Sequence, residues 1–170
     1  EAALSGDGRY VVHAYGQIED DLERIYRYDL ETGERLRVSV DGPDGAPFDI
    51  PFQNPAISAD GNVVAFTSEG QVYLHDVAAE ETVLVSHSDG TPASGTSANP
   101  SIGADGQLLV FESSATDIVD ENVTGVNLYV YDRTSDSFEV ISVENAGLDL
   151  LPGISPDGER IAFQSTNSRV

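Results

Sequence analysis

The chain has 170 residues, a net charge of −22, 39% apolar residues and no Cys. That length suits one domain with a real core, and the apolar content argues against disorder. The acidic surface repels nucleic acid and anionic lipid, so neither is expected as a partner, whereas metal ions and basic proteins are attracted. Every cation is Arg, and a Lys-free, acid-rich composition resembles that of salt-loving microbes. High salt screens the self-repulsion of such a surface. The lack of Cys removes disulfide and thiolate chemistry. No apolar run approaches the roughly 18 residues that span a bilayer, so membrane insertion is not expected.

In chain order, a motif opens in clipped form at Leu4-Ser5-Gly6-Asp7-Gly8, running into Val11-Val12-His13. It returns as Asn54-Pro55-Ala56-Ile57-Ser58-Ala59-Asp60-Gly61, followed by Val63-Val64-Ala65-Phe66. It returns again from Asn99 to Gly106, followed by Leu108-Leu109-Val110-Phe111, and once more from Leu151 to Gly158, followed by Ile161-Ala162-Phe163. Each copy reads as strand, tight Asp-Gly turn and strand, with Gly supplying the positive φ of the turn. A second anchor follows in three of the units: Ile25-Tyr26-Arg27-Tyr28-Asp29, Val72-Tyr73-Leu74-His75-Asp76 and Leu128-Tyr129-Val130-Tyr131-Asp132. These are β-branched and aromatic strands, each ended by an Asp able to start a turn. At one fixed distance beyond that Asp stands Ser39, Ser86 or Ser142, which the pattern places in a fourth strand.

Each unit therefore holds four antiparallel strands, A to D, within about 50 residues, and no helical period intervenes. The expected fold is all-β: a β-propeller arc of about three and a half four-stranded blades, a partial propeller. The blades fall at about 1–53, 54–98 and 99–150, with a half blade at 151–170. Blades stack face to face, which explains continuously apolar B strands. Val64, Phe66, Leu109, Phe111, Ile161 and Phe163 are the expected core of the B strands, joined by Tyr73, Leu74, Tyr129 and Val130 from the C strands.

Ser155-Pro156-Asp157-Gly158-Glu159-Arg160-Ile161-Ala162-Phe163 resembles the signature of TolB-like propellers, WD-like repeats of many exported bacterial and archaeal proteins. Asn99-Pro100-Ser101-Ile102 and Tyr129-Val130-Tyr131-Asp132-Arg133 resemble the same repeat. The resemblance implies an exported, extracellular or periplasmic protein. It implies a non-catalytic module that binds a protein, glycan or cation through its loops. The alternatives are the propeller part of an enzyme, lyase-like or peptidase-gating, and a subunit of an extracellular assembly. Open blade edges would allow self-association.

One stretch carries a candidate metal site. Asp120-Glu121-Asn122-Val123-Thr124-Gly125, in the B–C loop of the third unit, approximates the first half of a calcium loop: oxygens at alternate positions, then Gly for the turn. Asp120, Asn122 and Thr124 are the candidate ligands, and calcium is the one cofactor the pattern suggests. Thr124 stands where Asp or Asn is usual, and Tyr131 stands where the closing Glu would be. Asn122-Val123-Thr124 is also a glycosylation sequon. Further acidic residues, Glu19, Asp20, Asp21, Glu23, Asp41, Asp44, Asp49 and Asp89, fall on the same end of the arc and read as hydrated surface. The turn residues Asp7, Asp60, Asp105 and Asp157 share the opposite end. His13, His75 and His87 are scattered, unlike the clustered histidines of the metal-dependent lyases that use this fold. No nucleophile elbow, phosphate loop or dinucleotide fingerprint is present, and no catalytic residue is expected.

Overall fold

A computed structural model describes residues 1–16, 23–39, 52–120, 122–141 and 150–164. The described residues form strands and turns without a helix, so none is long and apolar enough to cross a membrane. The first sheet joins β1 (Ala2–Leu4), β2 (Tyr10–Gly16), β3 (Glu23–Asp29) and β4 (Arg35–Arg37) in sequential order. The second joins β5 (Gln53–Ile57), β6 (Val63–Ser68), β7 (Gln71–Asp76) and β8 (Glu81–Leu84). A small hairpin of β9 (His87–Ser88) and β10 (Thr91–Pro92) precedes the third sheet. That sheet joins β11 (Ser97–Ile102), β12 (Leu108–Ser113), β13 (Asn127–Asp132) and β14 (Ser137–Ile141). A pair, β15 (Gly153–Ile154) and β16 (Ile161–Ala162), closes the described chain. All pairings are antiparallel. The architecture is the propeller arc of three four-stranded blades and a half blade.

The blades meet through three apolar clusters. Between the first and second lie Val12, Ile25, Val38, Phe52, Val64, Phe66 and Tyr73. Between the second and third lie Val63, Ala65, Leu74, Leu109, Phe111, Tyr129 and Tyr131. The third blade and the half blade share a smaller cluster around Val110, Leu128 and Leu150. Ring geometry repeats from seam to seam: Phe66 stacks on Tyr73 with centroids 5.9 Å apart, and Phe111 on Tyr129 at 5.7 Å. Three expected core residues depart from this. Val130, Ile161 and Phe163 are only half-buried. Val130 lies on the face of the third blade turned toward the half blade. There, among the described residues, β15 and β16 supply two strands where the other seams have four.

The Asp-Gly turns do two jobs. In the first, second and last copies the Ser hydroxyl donates to the Asp carboxylate and accepts a backbone N–H at or just before the start of strand B, that of Tyr10, Val63 or Arg160. The Asp also accepts the N–H of the residue after Gly in all four copies. Gly8, Gly61, Gly106 and Gly158 have φ of 72–75°. The second job is contact between blades. A Cβ on Gly61 would lie 2.1 Å from the Tyr10 ring, one on Gly106 2.7 Å from Val63, and one on Gly158 2.9 Å from Leu108. Tyr10, Val63 and Leu108 each begin a B strand in the preceding blade. Backbone bonds then stitch turn to turn: Asp7 N–H to Ala59 O at 3.0 Å, Ala59 N–H to Ala104 O at 2.9 Å and Ala104 N–H to Pro156 O at 3.2 Å.

Strand D ends earlier than the sequence suggests. β4 and β8 stop before Ser39 and Ser86, while Ser142 lies outside the described residues. The N–H groups of Val38 and Ser39 both turn onto the Ile25 carbonyl, and those of Val85 and Ser86 onto the Val72 carbonyl, which ends the ladder. The buried Ser hydroxyls then accept the N–H of Ile25 at 3.0 Å and of Val72 at 2.9 Å. His87 accordingly belongs to the β9–β10 hairpin, not to strand D. The aspartates ending strand C behave as expected: Asp29, Asp76 and Asp132 each accept two N–H groups of the following turn.

The turn contact gives a direct test. Gly106→Ala should lose the about 1–2 kcal/mol of a left-handed non-Gly residue plus the cost of displacing Val63. Gly8→Ala has the same φ and open space around it, so it should lose only the first part. Urea denaturation of both variants measures the difference, and equal losses would contradict the contact. His75 gives a second. It is buried and bonded through Nδ1 to the Thr82 hydroxyl. Burial lowers its pKa below 6.5. As pH falls through 6.5 the unfolded chain gains a proton that the folded chain refuses, so stability is lost from there downward. His75→Tyr, which copies Tyr28 and Tyr131, should remove that component. Its stability relative to the parent should rise between pH 7.5 and 5.5; no change would refute the assignment.

Candidate functional site

The starts of the A strands form the most built feature at the end of the arc opposite the Asp-Gly turns. Register shifts interrupt the A–B ladders between Gln53 and Ala56 and between Ala98 and Ser101. At the shift stand Asn54 with φ of 51° and Asn99 with φ of 52°, each followed by Pro. Leu151, before Pro152, occupies the same slot with φ of 45°. Asn tolerates this left-handed region better than other L-residues because its short amide bonds locally. Leu151 has no such compensation and is 54% exposed.

These bulges point one set of side chains into a shared cleft of about 250 Å³, lined by Glu1 and by Asn-Pro or Leu-Pro pairs from three successive blades. A chain of hydrogen bonds runs along it. The Asn54 N–H donates to Glu1 Oε2 at 2.7 Å, and Asn54 Nδ2 donates to Asn99 Oδ1 at 2.8 Å. Asn99 Nδ2 donates to Glu112 Oε1 at 2.9 Å, and the other oxygen of Glu112 accepts the Leu150 N–H. Glu112 is 6% exposed. Its slot holds Thr67 in the second blade, buried and with an unpartnered hydroxyl. The cleft thus offers carboxylate and amide oxygens between Pro rings. Among its lining residues no Ser, Cys, Lys or His stands ready as a nucleophile or base.

The sequence-derived candidates lie elsewhere. Asp120, Asn122 and Thr124 are all exposed on the loop between β12 and β13, and Glu121 lies outside the described residues. Buried Ala115, Ile118 and Val123 anchor this loop, and Tyr129 Oη donates to the Ala115 carbonyl at 3.0 Å. Asp117 accepts the N–H and hydroxyl of Ser94, and Asn127 Nδ2 donates to the carbonyls of Thr124 and Gly125. Gly125 has a φ of 73°, the sharp turn that the motif requires. Of the other acidic candidates, Glu19, Asp20, Asp21, Asp41, Asp44 and Asp49 lie outside the described residues, and Asp89 sits in the β9–β10 turn. Among the described residues no group of three or more His, Asp or Glu side chains is arranged to hold a metal.

The turn aspartates are structural. The Ser5 hydroxyl and the Arg9 N–H hold the Asp7 carboxyl below the usual range, and Ser155 and Glu159 do the same for Asp157. The histidines stay apart in role. His13 stacks on Tyr28 at 5.0 Å, His75 bonds Thr82, and His87 Nε2 lies 3.3 Å from Asp136. Sequence reasoning passed over Asn54, Asn99 and Glu112 as site residues. The repeated Asn-Pro was visible, but the carboxylate that completes the chain is not repeated in its slot, which holds Ala14 and Thr67 in the first two blades.

No protein-family model and no curated protein sequence matches the chain. Solved structures do. TolB from Acinetobacter baumannii aligns with a TM-score of 0.66 and 20% identity over 100% of this chain and 38% of that one. Porphyromonas gingivalis dipeptidyl peptidase 4 aligns with a TM-score of 0.61 and 17% identity over 98% and 29%. An oligogalacturonate lyase solved with manganese aligns with a TM-score of 0.59 and 15% identity over 97% and 52%. The chain spans well under two thirds of each. What these proteins share with it is architecture, and on that ground the chain has the TolB-like β-propeller fold.

Proposed function

We propose that the chain is a non-catalytic binding module of an exported protein, and that its axial cleft holds a segment of a protein partner. The observation that carries this reading is the Glu1–Asn54–Asn99–Glu112 chain of hydrogen bonds, which fixes a row of polar groups across three blades at the mouth of one cleft. Pro rings between them give flat apolar patches with low conformational entropy, the combination that recognises an extended segment. An enzymatic reading would require His13, His75 or His87 to share carboxylates in one place. Each is instead engaged in its own local contact. The outward loop of the third blade is proposed as a separate cation position, with Asp120, Asn122 and Thr124 as ligands.

Two experiments test these readings. Peptide-display and glycan-array selection against the immobilised chain should return peptides, and Asn54→Gly with Asn99→Gly should abolish their binding while preserving the left-handed backbone, with a far-ultraviolet circular dichroism spectrum matching the parent showing that the fold is kept. Retention of binding in that variant, or selection of glycans alone, would overturn the cleft assignment. Millimolar calcium should raise the melting temperature of the parent and leave Asp120→Ala unchanged; an unresponsive parent removes the cation site.

A further inference from the structure

We propose that Asp89 is a site of self-modification: its link to Gly90 rearranges through a cyclic imide to a β-linked isoaspartate, with His87 as the catalytic base. The inference is independent of the axial cleft and of the cation position. It rests on a comparison of the Asp-Gly pairs that one chain holds in different surroundings. An Asp-Gly pair is disposed to this reaction because Gly has no Cβ to crowd its nitrogen or restrict its backbone. Asp41-Gly42 and Asp44-Gly45 lie outside the described residues. Asp7, Asp60, Asp105 and Asp157 are all exposed, as Asp89 is, so exposure does not separate them. Each of the four carboxylates accepts the N–H of the residue after Gly, and those of Asp7, Asp60 and Asp157 also accept a Ser hydroxyl. Their Gly N–H groups donate at 2.9–3.1 Å to the carbonyls of Ser5, Ser58, Gly103 and Ser155, which cannot take up a proton.

Asp89 differs in both respects. Its carboxylate accepts no hydrogen bond among the described residues. The Gly90 N–H donates to Nδ1 of His87 at 3.2 Å, an acceptor that is also a base near neutral pH. The imidazole is held for this. Its Nε2 lies 3.3 Å from Asp136 Oδ1, which keeps the ring proton on Nε2 and leaves the Nδ1 lone pair to Gly90. Tyr131 Oη donates to the same Asp136 oxygen, and the Phe138 ring meets the imidazole edge-on at 5.2 Å. The pair sits at the tip of the β9–β10 hairpin, whose register joins Ser88 to Thr91 and His87 to Pro92. Asp89 has a φ of 50°, a left-handed conformation that strains a non-Gly residue. A hairpin this short opens locally, which lets the unheld carboxyl rotate over the Gly90 nitrogen.

In the first step His87 Nδ1 takes the Gly90 amide proton, and the nitrogen bonds to Asp89 Cγ. One carboxyl oxygen leaves as water, taking that proton from the imidazolium and a second from solvent. Water then opens the imide. Cleavage between Cγ and nitrogen restores Asp89; cleavage between the main-chain carbonyl carbon and nitrogen leaves the β-linked product. The sum is an isomerisation in which water is released and consumed again, and no other reactant enters. The product has one more backbone carbon, so the two-residue turn is lengthened.

The test incubates the full chain at neutral pH and follows each pair in one sample. Isoaspartate is located by electron-transfer fragmentation and by resistance to an endoproteinase that cuts before Asp but not before isoaspartate. Asp89 should convert at least about tenfold faster than Asp7, Asp60, Asp105 and Asp157, the four being protected until the turns open. In denaturing urea the five should convert at comparable rates. His87→Gln keeps an acceptor for the Gly90 N–H but no base, and should slow conversion of Asp89 by about tenfold or more. No product at Asp89, equal rates at all five in the folded chain, an advantage of Asp89 that survives in urea, or an unchanged rate in His87→Gln would overturn the proposal.

Discussion

Blade-on-blade contact at the Asp-Gly turns is the constraint on which the remaining structure depends. A small four-stranded sheet cannot shelter two apolar faces alone, so each blade must approach its neighbour closely. The closest approach falls where a side chain is already forbidden, at Gly61, Gly106 and Gly158. One residue type therefore meets two needs, the positive φ of the hairpin and the space for the preceding B strand. Next to it, backbone bonds from Ala59 to Ala104 and from Ala104 to Pro156 fix the pitch of the arc. The Phe66–Tyr73 and Phe111–Tyr129 ring pairs and the Asn54-Pro55 and Asn99-Pro100 bulges then recur from the second blade to the third.

Charge is placed to serve the same end. With a net charge of −22 the surface repels itself. Several of the few cations are spent at seams and turns rather than spread over the exterior. Arg27 donates to the Gly61 carbonyl at 2.7 Å and lies 4.4 Å over the Tyr10 ring, tying the first blade to the second. Arg133 reaches Asp76 between the second and third. Burial alone would raise the Asp76 carboxyl, but Arg133 and the N–H groups of Ala79 and Ala78 outweigh it and hold it below the usual range. Arg9 closes the first blade on Asp29, whose carboxyl it holds far below that range.

The fold was legible in the sequence because its determinants repeat. Asp-Gly, the B-strand Phe of three units and the C-strand Asp recur at matching positions, and the Asp-Gly turns and the C-strand Asp serve as their local chemistry implies. What did not repeat was hidden. The β9–β10 hairpin lies in the linker between Ser86 and Asn99, a stretch with no repeated motif. Glu112 is one residue past Phe111, where the first, second and last units have Ala14, Thr67 and Gln164, so its role in linking Asn99 to Leu150 exists only in three dimensions. The half-exposed Ile161 and Phe163 carry the same apolar signature as Val64 and Phe66. Pattern reports what a strand can bury; neighbouring strands decide what it does bury.

Native-state hydrogen exchange at the amides of Ala59 and Ala104 examines the seam most directly. These N–H groups bond across blades, not within a hairpin. If the turns lock the arc, both amides exchange only through global unfolding, as slowly as those of Val64 and Val110 in the B strands. Exchange as fast as in an exposed turn would mean that the blades are held by their apolar faces alone.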